Sequence, residues 1–125
     1  MGVNIRGLDH IVLNVADVER ALEWYIGELG LEGERVDEWR KSEAPFPSVR
    51  VDATTVIDLV AAERTGENMN HVCLVIEPTD LEALVASGRF EVLQGPVPRW
   101  GAQGLAQSVY VGDPDGNLVE LRHYG

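Results

Sequence analysis

An internal repeat constrains the fold of this chain more than any other feature of its sequence. Residues 8–13 and 69–74 are two runs typical of β-strands, and each carries a histidine preceded by Asp or Asn. Each run is followed by a helical pattern of apolar residues that ends at a glycine. Repetition of the same order at a fixed spacing predicts two structural modules of the same kind.

The two predicted helices have separate start and stop signals. In the first, Asp17 is the expected N-cap, and Gly30 lies where a C-terminal glycine is expected. In the second, the sequence from Thr79 to Glu82 predicts a capping box, and Gly88 is expected to end the helix. Both modules therefore begin as strand followed by helix.

Three strand-like segments follow each helix. They are residues 34–39, 48–52 and 55–61 in the first half, and residues 90–93, 107–111 and 117–122 in the second. Residues 113–117, Asp-Pro-Asp-Gly-Asn, predict a turn between the last two strands. Residues 41–47 and 95–104 are predicted to be loops, because each contains two prolines or several glycines.

The order β-α-β-β-β thus occurs twice, which predicts the α+β fold class. The length of 125 residues suits a single domain over residues 1–125. We expect module one at about residues 7–62 and module two at about residues 68–123.

Four potential metal ligands occupy equivalent positions in the two modules. His10 and His71 are 61 positions apart, and Asp58 and Glu120 are 62 positions apart. Within the modules, the histidine precedes the carboxylate by 48 positions in the first and by 49 in the second. The matched spacing predicts that His10, Asp58, His71 and Glu120 act together.

Each of these four residues interrupts an otherwise apolar strand. A buried carboxylate without a partner is costly, so it requires a metal ion, a cationic partner or a ligand. Two imidazoles and two carboxylates suit a divalent ion such as Zn, Ni, Fe(II) or Mn, with one or two positions open for water or substrate. The alternative is structural: a single strand histidine is often a packed core residue, and Asp58 can pair with Arg50 or Arg64.

Composition limits the partners. The formal net charge of −11 repels phosphate backbones and anionic membranes, so we expect no nucleic-acid and no membrane partner. The same charge favours metal ions or cationic small molecules, although it also serves solubility. One cysteine, Cys73, excludes an internal disulfide framework, and no apolar run resembles a signal peptide or a membrane span. These features predict a cytoplasmic protein.

Three segments resemble one known family. They are Asp9–His10 with the apolar run behind it, Asn70–His71–Val72, and above all residues 113–121, Asp-Pro-Asp-Gly-Asn-Leu-Val-Glu-Leu. Together they resemble the vicinal oxygen chelate superfamily, which includes glyoxalase I, methylmalonyl-CoA epimerase, extradiol dioxygenases and bleomycin-binding proteins. The resemblance covers essentially the whole chain and is nearest to glyoxalase-domain proteins of unassigned substrate.

The resemblance implies a fold and a set of ligands. It implies two βαβββ modules whose mostly antiparallel sheets form a cup around a divalent metal. The family's ligands map to His10, His71 and Glu120, and Asp58 matches the ligand position that varies most between branches. Glu120 or Asp58 would move a proton during turnover, and Glu120 is the predicted catalytic residue.

Two departures from glyoxalase I disfavour glutathione as the substrate. Asn14 and Ala62 stand where that enzyme tends to carry an Arg and an Asn that hold glutathione. Two other predicted substrate-binding residues have an alternative structural role. Arg122 can form an internal ion pair, and Trp39 can be an aromatic core residue. The predicted substrate-binding set is Asn14, Trp39, Arg99, Trp100 and Arg122.

The sequence therefore predicts a glyoxalase-like, metal-dependent lyase or isomerase that acts on a small oxygenated molecule. One alternative is a non-catalytic resistance protein that sequesters a drug or metabolite, which the acidic charge and three tryptophans favour. A second alternative is a ring-cleaving dioxygenase. A homodimer is expected, because open sheets leave edges that pairing covers.

Overall fold

The computed structural model describes residues 2–63, 65–66, 68–112 and 118–125. Strand β1 (Ile5–Val15) is shared by two units into which the chain divides. One unit is His10–Asn70, here called the 10–70 unit. The other combines Met1–Asp9 with His71–Gly125 and is here called the 71–125 unit.

The 10–70 unit contains one βαβββ module. After β1 come helix α1 (Val18–Leu22), a π-helical segment (Glu23–Glu28), strand β2 (Glu32–Glu34), helix α2 (Val36–Arg40), strand β3 (Ser48–Arg50) and strand β4 (Val56–Ala61). The strands lie in the order β2-β3-β4-β1. Strands β1 and β4 are parallel, and the other pairs are antiparallel.

The second module has the same topology. It consists of strand β5 (Met69–Ile76), helix α3 (Leu81–Ala86), strand β6 (Glu91–Gly101), strand β7 (Gly104–Gly112) and strand β8 (Leu118–Arg122). The order is β5-β8-β7-β6, with β5 and β8 parallel and the other pairs antiparallel. The predicted α+β class with mostly antiparallel strands is confirmed. Within the described residues, no helix is long and apolar enough to cross a membrane.

The predicted start of the first helix is confirmed. The Asp17 side chain accepts a hydrogen bond from the backbone N–H of Arg20, which satisfies one free donor of the first turn. The helix continues as the π-helical segment, and Gly30 has a positive φ of 75°. Its apolar face packs with β3 and β4 into a core cluster of Val18, Leu22, Val49 and Leu59.

The second helix begins one residue later than predicted. Asp80, not Thr79, is the N-cap, because the Asp80 carboxylate accepts from the Ala83 N–H. The Thr79 hydroxyl donates instead to the Glu77 carbonyl. Gly88 follows the helix at a φ of 71°, as expected. The core cluster beneath this helix is Ile76, Leu81, Leu84, Val109, Val111 and Leu121.

The strand predicted at residues 34–39 is wrong. Strand β2 ends at Glu34, Arg35 takes a left-handed φ of 59°, and helix α2 follows. The left-handed residue breaks the extended backbone, so an alternating pattern cannot continue past it. Trp39 therefore lies on a helix rather than at a strand end, and it packs against the core cluster of the 10–70 unit.

The loop predicted at residues 95–104 is also wrong. Strand β6 runs through to Gly101 and forms a hairpin with β7, so Arg99 and Trp100 lie on a strand. Pro96 lies at a register shift between Gln94 and Val97, and Pro98 pairs in register with Gln107. Residues 41–47 form the predicted loop, and the predicted turn at 113–117 lies outside the described residues.

Candidate functional site

His10 and Asp58 come together in the 10–70 unit. In the parallel pair of β1 and β4, Asp58 lies opposite Val12, two residues after His10. Side chains two apart on a strand share a face, so the histidine and the carboxylate project on the same side. The distance from His10 Nε2 to Asp58 Oδ2 is 3.6 Å.

His71 and Glu120 form the equivalent pair in the 71–125 unit. In the parallel pair of β5 and β8, Glu120 lies opposite Cys73, two residues after His71. The distance from His71 Nε2 to Glu120 Oε1 is 3.0 Å. The equivalence predicted from spacing therefore holds at the level of strand register in each unit.

Both carboxylates are almost completely removed from solvent. The relative exposure of Asp58 is 1% and that of Glu120 is 1%, and His10 is 2% exposed. The His71 side chain is more open, at 12%. Burying charged oxygens carries a large desolvation cost, which a cation or several donors must offset. Imidazole nitrogens with carboxylate oxygens are donors that suit a divalent transition metal.

Asp58 has two neighbours that the sequence did not indicate. Ser48 donates a hydrogen bond of 2.5 Å from Oγ to Asp58 Oδ1, and Arg35 NH2 lies 3.8 Å from the same oxygen. Arg50, one of the suggested partners of Asp58, forms an ion pair with Glu34 at 3.0 Å. Arg64, the other suggested partner, lies outside the described residues.

Glu120 lies beside Ser108 and Arg122. The Ser108 hydroxyl donates to Glu120 Oε2 at 2.7 Å, and Arg122 NH2 lies 3.2 Å from the same oxygen. Arg122 is 0% exposed. Its remaining hydrogen bonds go to the Ser108 and Tyr124 hydroxyls and to the backbone carbonyls of Arg99, Trp100 and Gly104. Arg122 thus forms an internal ion pair with Glu120, which was the structural alternative to its predicted role in substrate binding.

The charges around Glu120 shift the pKa values of its neighbours. Burial acts to lower the pKa of Arg122, but interactions with Cys73, Glu120 and Tyr124 together outweigh burial, so the pKa is raised. Burial raises the pKa of Tyr110, and the charge of Glu120 raises it further. A guanidinium that stays charged next to Glu120 stabilises the carboxylate form of Glu120.

Arg99 and Trp100 lie on strand β6, and Arg99 approaches Tyr110, a neighbour of His71. The Arg99 guanidinium is 5.8 Å from the centre of the Tyr110 ring, and the Tyr110 ring is 5.6 Å from that of His71 in an edge-on arrangement. Trp100 is half-buried and pairs in register with Leu105. Tyr110 is thus a further residue beside His71, outside the predicted set of site residues.

Asn14 lies four residues beyond His10 on β1 and lines a cavity of about 420 Å³ in the 10–70 unit. Trp24, Tyr25 and Arg20 form part of the same wall. Within the described part of the chain, no donor bonds the buried Asn14 Oδ1. Trp39 lies apart from this cavity, against the core.

A comparison with protein-family models matches residues 7–121 to the glyoxalase/bleomycin resistance protein/dioxygenase superfamily. The chain belongs to this superfamily. The matched region contains all four predicted ligands: His10, Asp58, His71 and Glu120.

Two curated relatives of this chain are distant from it in sequence. A virulence protein of Salmonella typhimurium is 27% identical over 120 residues, which cover 94% of this chain and 83% of that protein. A glyoxalase domain-containing protein of Mycosarcoma maydis is also 27% identical, over 98% of this chain and 70% of that protein.

Solved structures of the superfamily show the same fold. A Mn(II)-bound glyoxalase from Novosphingobium aromaticivorans is 20% identical, with a TM-score of 0.71 over 98% of this chain and 40% of that chain. A methylmalonyl-CoA epimerase from Mycobacterium tuberculosis is 21% identical, with a TM-score of 0.64 over 97% of this chain and 89% of that chain. At these identities the similarity concerns the fold alone.

Proposed function

We propose that this chain is a glyoxalase-like metalloenzyme that acts on a small oxygenated substrate. His10, Asp58, His71 and Glu120 are its proposed ligands for one divalent cation. The observation that carries the proposal is the matched pair: each unit holds a histidine and a buried carboxylate at the same strand register. Superfamily membership supports it, since members commonly bind divalent metals.

The cation, Glu120 and Arg99 have separate parts in the proposed reaction. A bound divalent cation supplies stabilisation of the negative charge that develops on substrate oxygens. Glu120 is proposed to accept or return a proton of the substrate, and Ser108 and Arg122 hold its Oε2 in place. Arg99, next to Tyr110, is proposed to bind an anionic group of the substrate.

Metal binding is the first property to test. Apoprotein is titrated with Mn(II), Zn, Ni and Fe(II), starting with Mn(II) because a Mn(II)-bound glyoxalase shares this fold. His10→Ala and Glu120→Ala are expected to abolish tight binding, and Asp58→Ala to weaken it less. Glu82→Ala, which removes an exposed carboxylate on α3, is the matched control and retains the parent affinity.

Thermal melting gives a second readout of the same proposal. A metal that binds only the folded state stabilises the parent by about 2.7 kcal/mol at a metal concentration of about 100 times Kd. Glu120→Ala is expected to lose this metal-dependent shift, and Glu82→Ala to keep it. A parent protein that holds none of the four metals after supplementation contradicts the proposal.

A second candidate function is the sequestration of a drug or metabolite without catalysis. The cavity beside Asn14 favours it, because Trp24 and Tyr25 give that wall aromatic surface and Trp24 is 51% exposed. A binding protein of this kind keeps its affinity for an aromatic cationic ligand in Glu120→Ala and loses it in Trp24→Ala. A cytoplasmic location and the absence of nucleic-acid or membrane partners stay predictions from composition.

A further inference from the structure

A serine and an arginine hold one oxygen of Asp58 in the 10–70 unit. Ser48, directly opposite Asp58 in the β3–β4 register, donates its hydroxyl proton to Oδ1 at 2.5 Å. Arg35 NH2 donates to the Ser48 oxygen at 2.8 Å. The other carboxylate oxygen, Oδ2, is the one that lies 3.6 Å from His10.

The same arrangement recurs around Glu120. Ser108 donates its hydroxyl proton to Oε2 at 2.7 Å, and Arg122 Nε donates to the Ser108 oxygen at 3.1 Å. The other oxygen, Oε1, is the one that lies 3.0 Å from His71. In both units, therefore, one carboxylate oxygen is fixed by serine and the other lies toward histidine.

The chemistry of the serine hydroxyl explains why an arginine accompanies it. A hydroxyl has one proton to donate and also accepts, and its rotor orients to suit its neighbours. When arginine, which is always a donor, bonds the serine oxygen, the proton is directed to the carboxylate. Each Ser–Arg pair therefore fixes both the orientation of the carboxylate and its negative charge.

The two arginines come from unrelated places in the modules. Arg35 stands in the left-handed turn after β2, whereas Arg122 lies on β8, two residues beyond the carboxylate that it accompanies. The two serines lie on equivalent strands, β3 and β7, but at different register: Ser48 is opposite Asp58, whereas Ser108 is opposite Arg122. The same hydrogen-bond pattern is thus reached from two different sequence positions.

We infer that Ser48 with Arg35, and Ser108 with Arg122, are positioning residues that direct one oxygen of Asp58 and of Glu120 toward a histidine and the cation. This inference rests on the proposed metal function. Residues outside the ligand set that orient the ligands typically change metal affinity by about 10- to 100-fold when they are removed.

Two isosteric deletions test it, Ser48→Ala and Ser108→Ala. In metal-free protein, long-range ¹H–¹⁵N spectra of the imidazoles report the environment of each histidine. Ser48→Ala is expected to shift the signals of His10 more than those of His71, and Ser108→Ala the reverse. Ser87→Ala, which removes a hydroxyl bonded to the Leu84 carbonyl, is the control for general loss of stability and leaves both histidines unchanged.

Mn(II) titration of the same variants completes the test. Ser48→Ala and Ser108→Ala are each expected to weaken Mn(II) binding by about 10- to 100-fold, and Ser87→Ala by less than about twofold. Parent-like imidazole spectra in both serine variants overturn the inference. If the parent binds Mn(II) and the serine variants bind Mn(II) equally well, the inference is overturned but the proposed metal function stands. A parent that binds no Mn(II) contradicts the metal function, and the metal-free spectra then decide the inference alone.

Discussion

At the scale of single residues, the site depends on close packing around Arg122. A Cβ on Gly101 would collide with the Arg122 guanidinium and the Tyr124 hydroxyl. The Tyr124 hydroxyl also donates to Asp9 Oδ1 at 2.6 Å, and Asp9 is 0% exposed. Gly101 is therefore required by the space that its neighbours occupy.

Gly101→Ala is expected to destabilise the fold by about 1–3 kcal/mol, because the added methyl overlaps the buried Arg122 guanidinium and the Tyr124 hydroxyl. Urea unfolding measures the loss. Gly112→Ala is the control: its Cβ would meet the Glu91 carboxyl at 3.4 Å, and that exposed side chain can move away. Equal stability of the two variants would show that Arg122 can shift without cost.

Tyr124 predicts a pH dependence of stability. Burial, together with the hydrogen bond to Asp9, raises the pKa of Tyr124 from 10.0 to about 12. Because the folded-state pKa lies above the unfolded value, the fold favours the neutral phenol. Its contribution is fully present below pH 10 and is lost as the pH rises from 10 to about 12.

Urea unfolding between pH 9 and about 11.5 tests this expectation, with tyrosinate absorbance as a direct titration. Tyr124→Phe is expected to be less stable at pH 9, because Asp9 and Arg122 lose a partner, and to show a shallower decline above pH 10. The same decline in parent and variant would assign it to other groups.

At the scale of elements, the starts of helices depend on single caps. Helix α3 has only six residues, so the one hydrogen bond that the Ala83 N–H donates to the Asp80 carboxylate is a substantial part of its support. The capping-box pattern predicted Thr79 as the N-cap, whereas the structure has Asp80 in that role. Thr79 does not cap the helix because its hydroxyl donates to the Glu77 carbonyl, directly after the end of β5.

Asp80→Ala is expected to cost about 1 kcal/mol of unfolding free energy, since the cap is lost. Asp80→Asn keeps an acceptor and is expected to change stability by less than about 0.5 kcal/mol. Both values come from denaturant titration. A larger loss of unfolding free energy in Thr79→Ala than in Asp80→Ala would show that Thr79 is the N-cap.

At the scale of the whole molecule, each unit presents an open sheet with an edge strand. The edges are β2 in the 10–70 unit and β6 in the 71–125 unit, and Leu93 on β6 is 55% exposed. Unpaired edges with exposed apolar side chains favour pairing with a second copy.

A homodimer is therefore expected, and light scattering at micromolar concentration measures it directly. The substitution Leu93→Lys on β6 places a charge on that edge and is expected to shift the population toward monomer. Leu105→Lys, on an exposed β7 position, is the comparison variant. A parent that is monomeric at micromolar concentration contradicts the expectation.

The sequence by itself determined the repeat, the strand-then-helix start of each module and the residues of the two pairs. These depend on local information, since caps act within one turn and strand alternation has a period of two residues. The equal spacing in the two modules placed His10 with Asp58 and His71 with Glu120 at matching register. That all four bind one cation stays a prediction.

Tertiary structure decided what surrounds each carboxylate and which segments are extended. Arg35 and Ser48 reach Asp58, and Arg122 loses all exposure, through contacts that no local pattern encodes. Strand β6 runs past Pro96 and Pro98, because pairing with β7 through register shifts outweighs local turn preference. Hydrogen bonds between residues far apart in sequence, such as Tyr124 and Asp9, form only when folding brings their strands together.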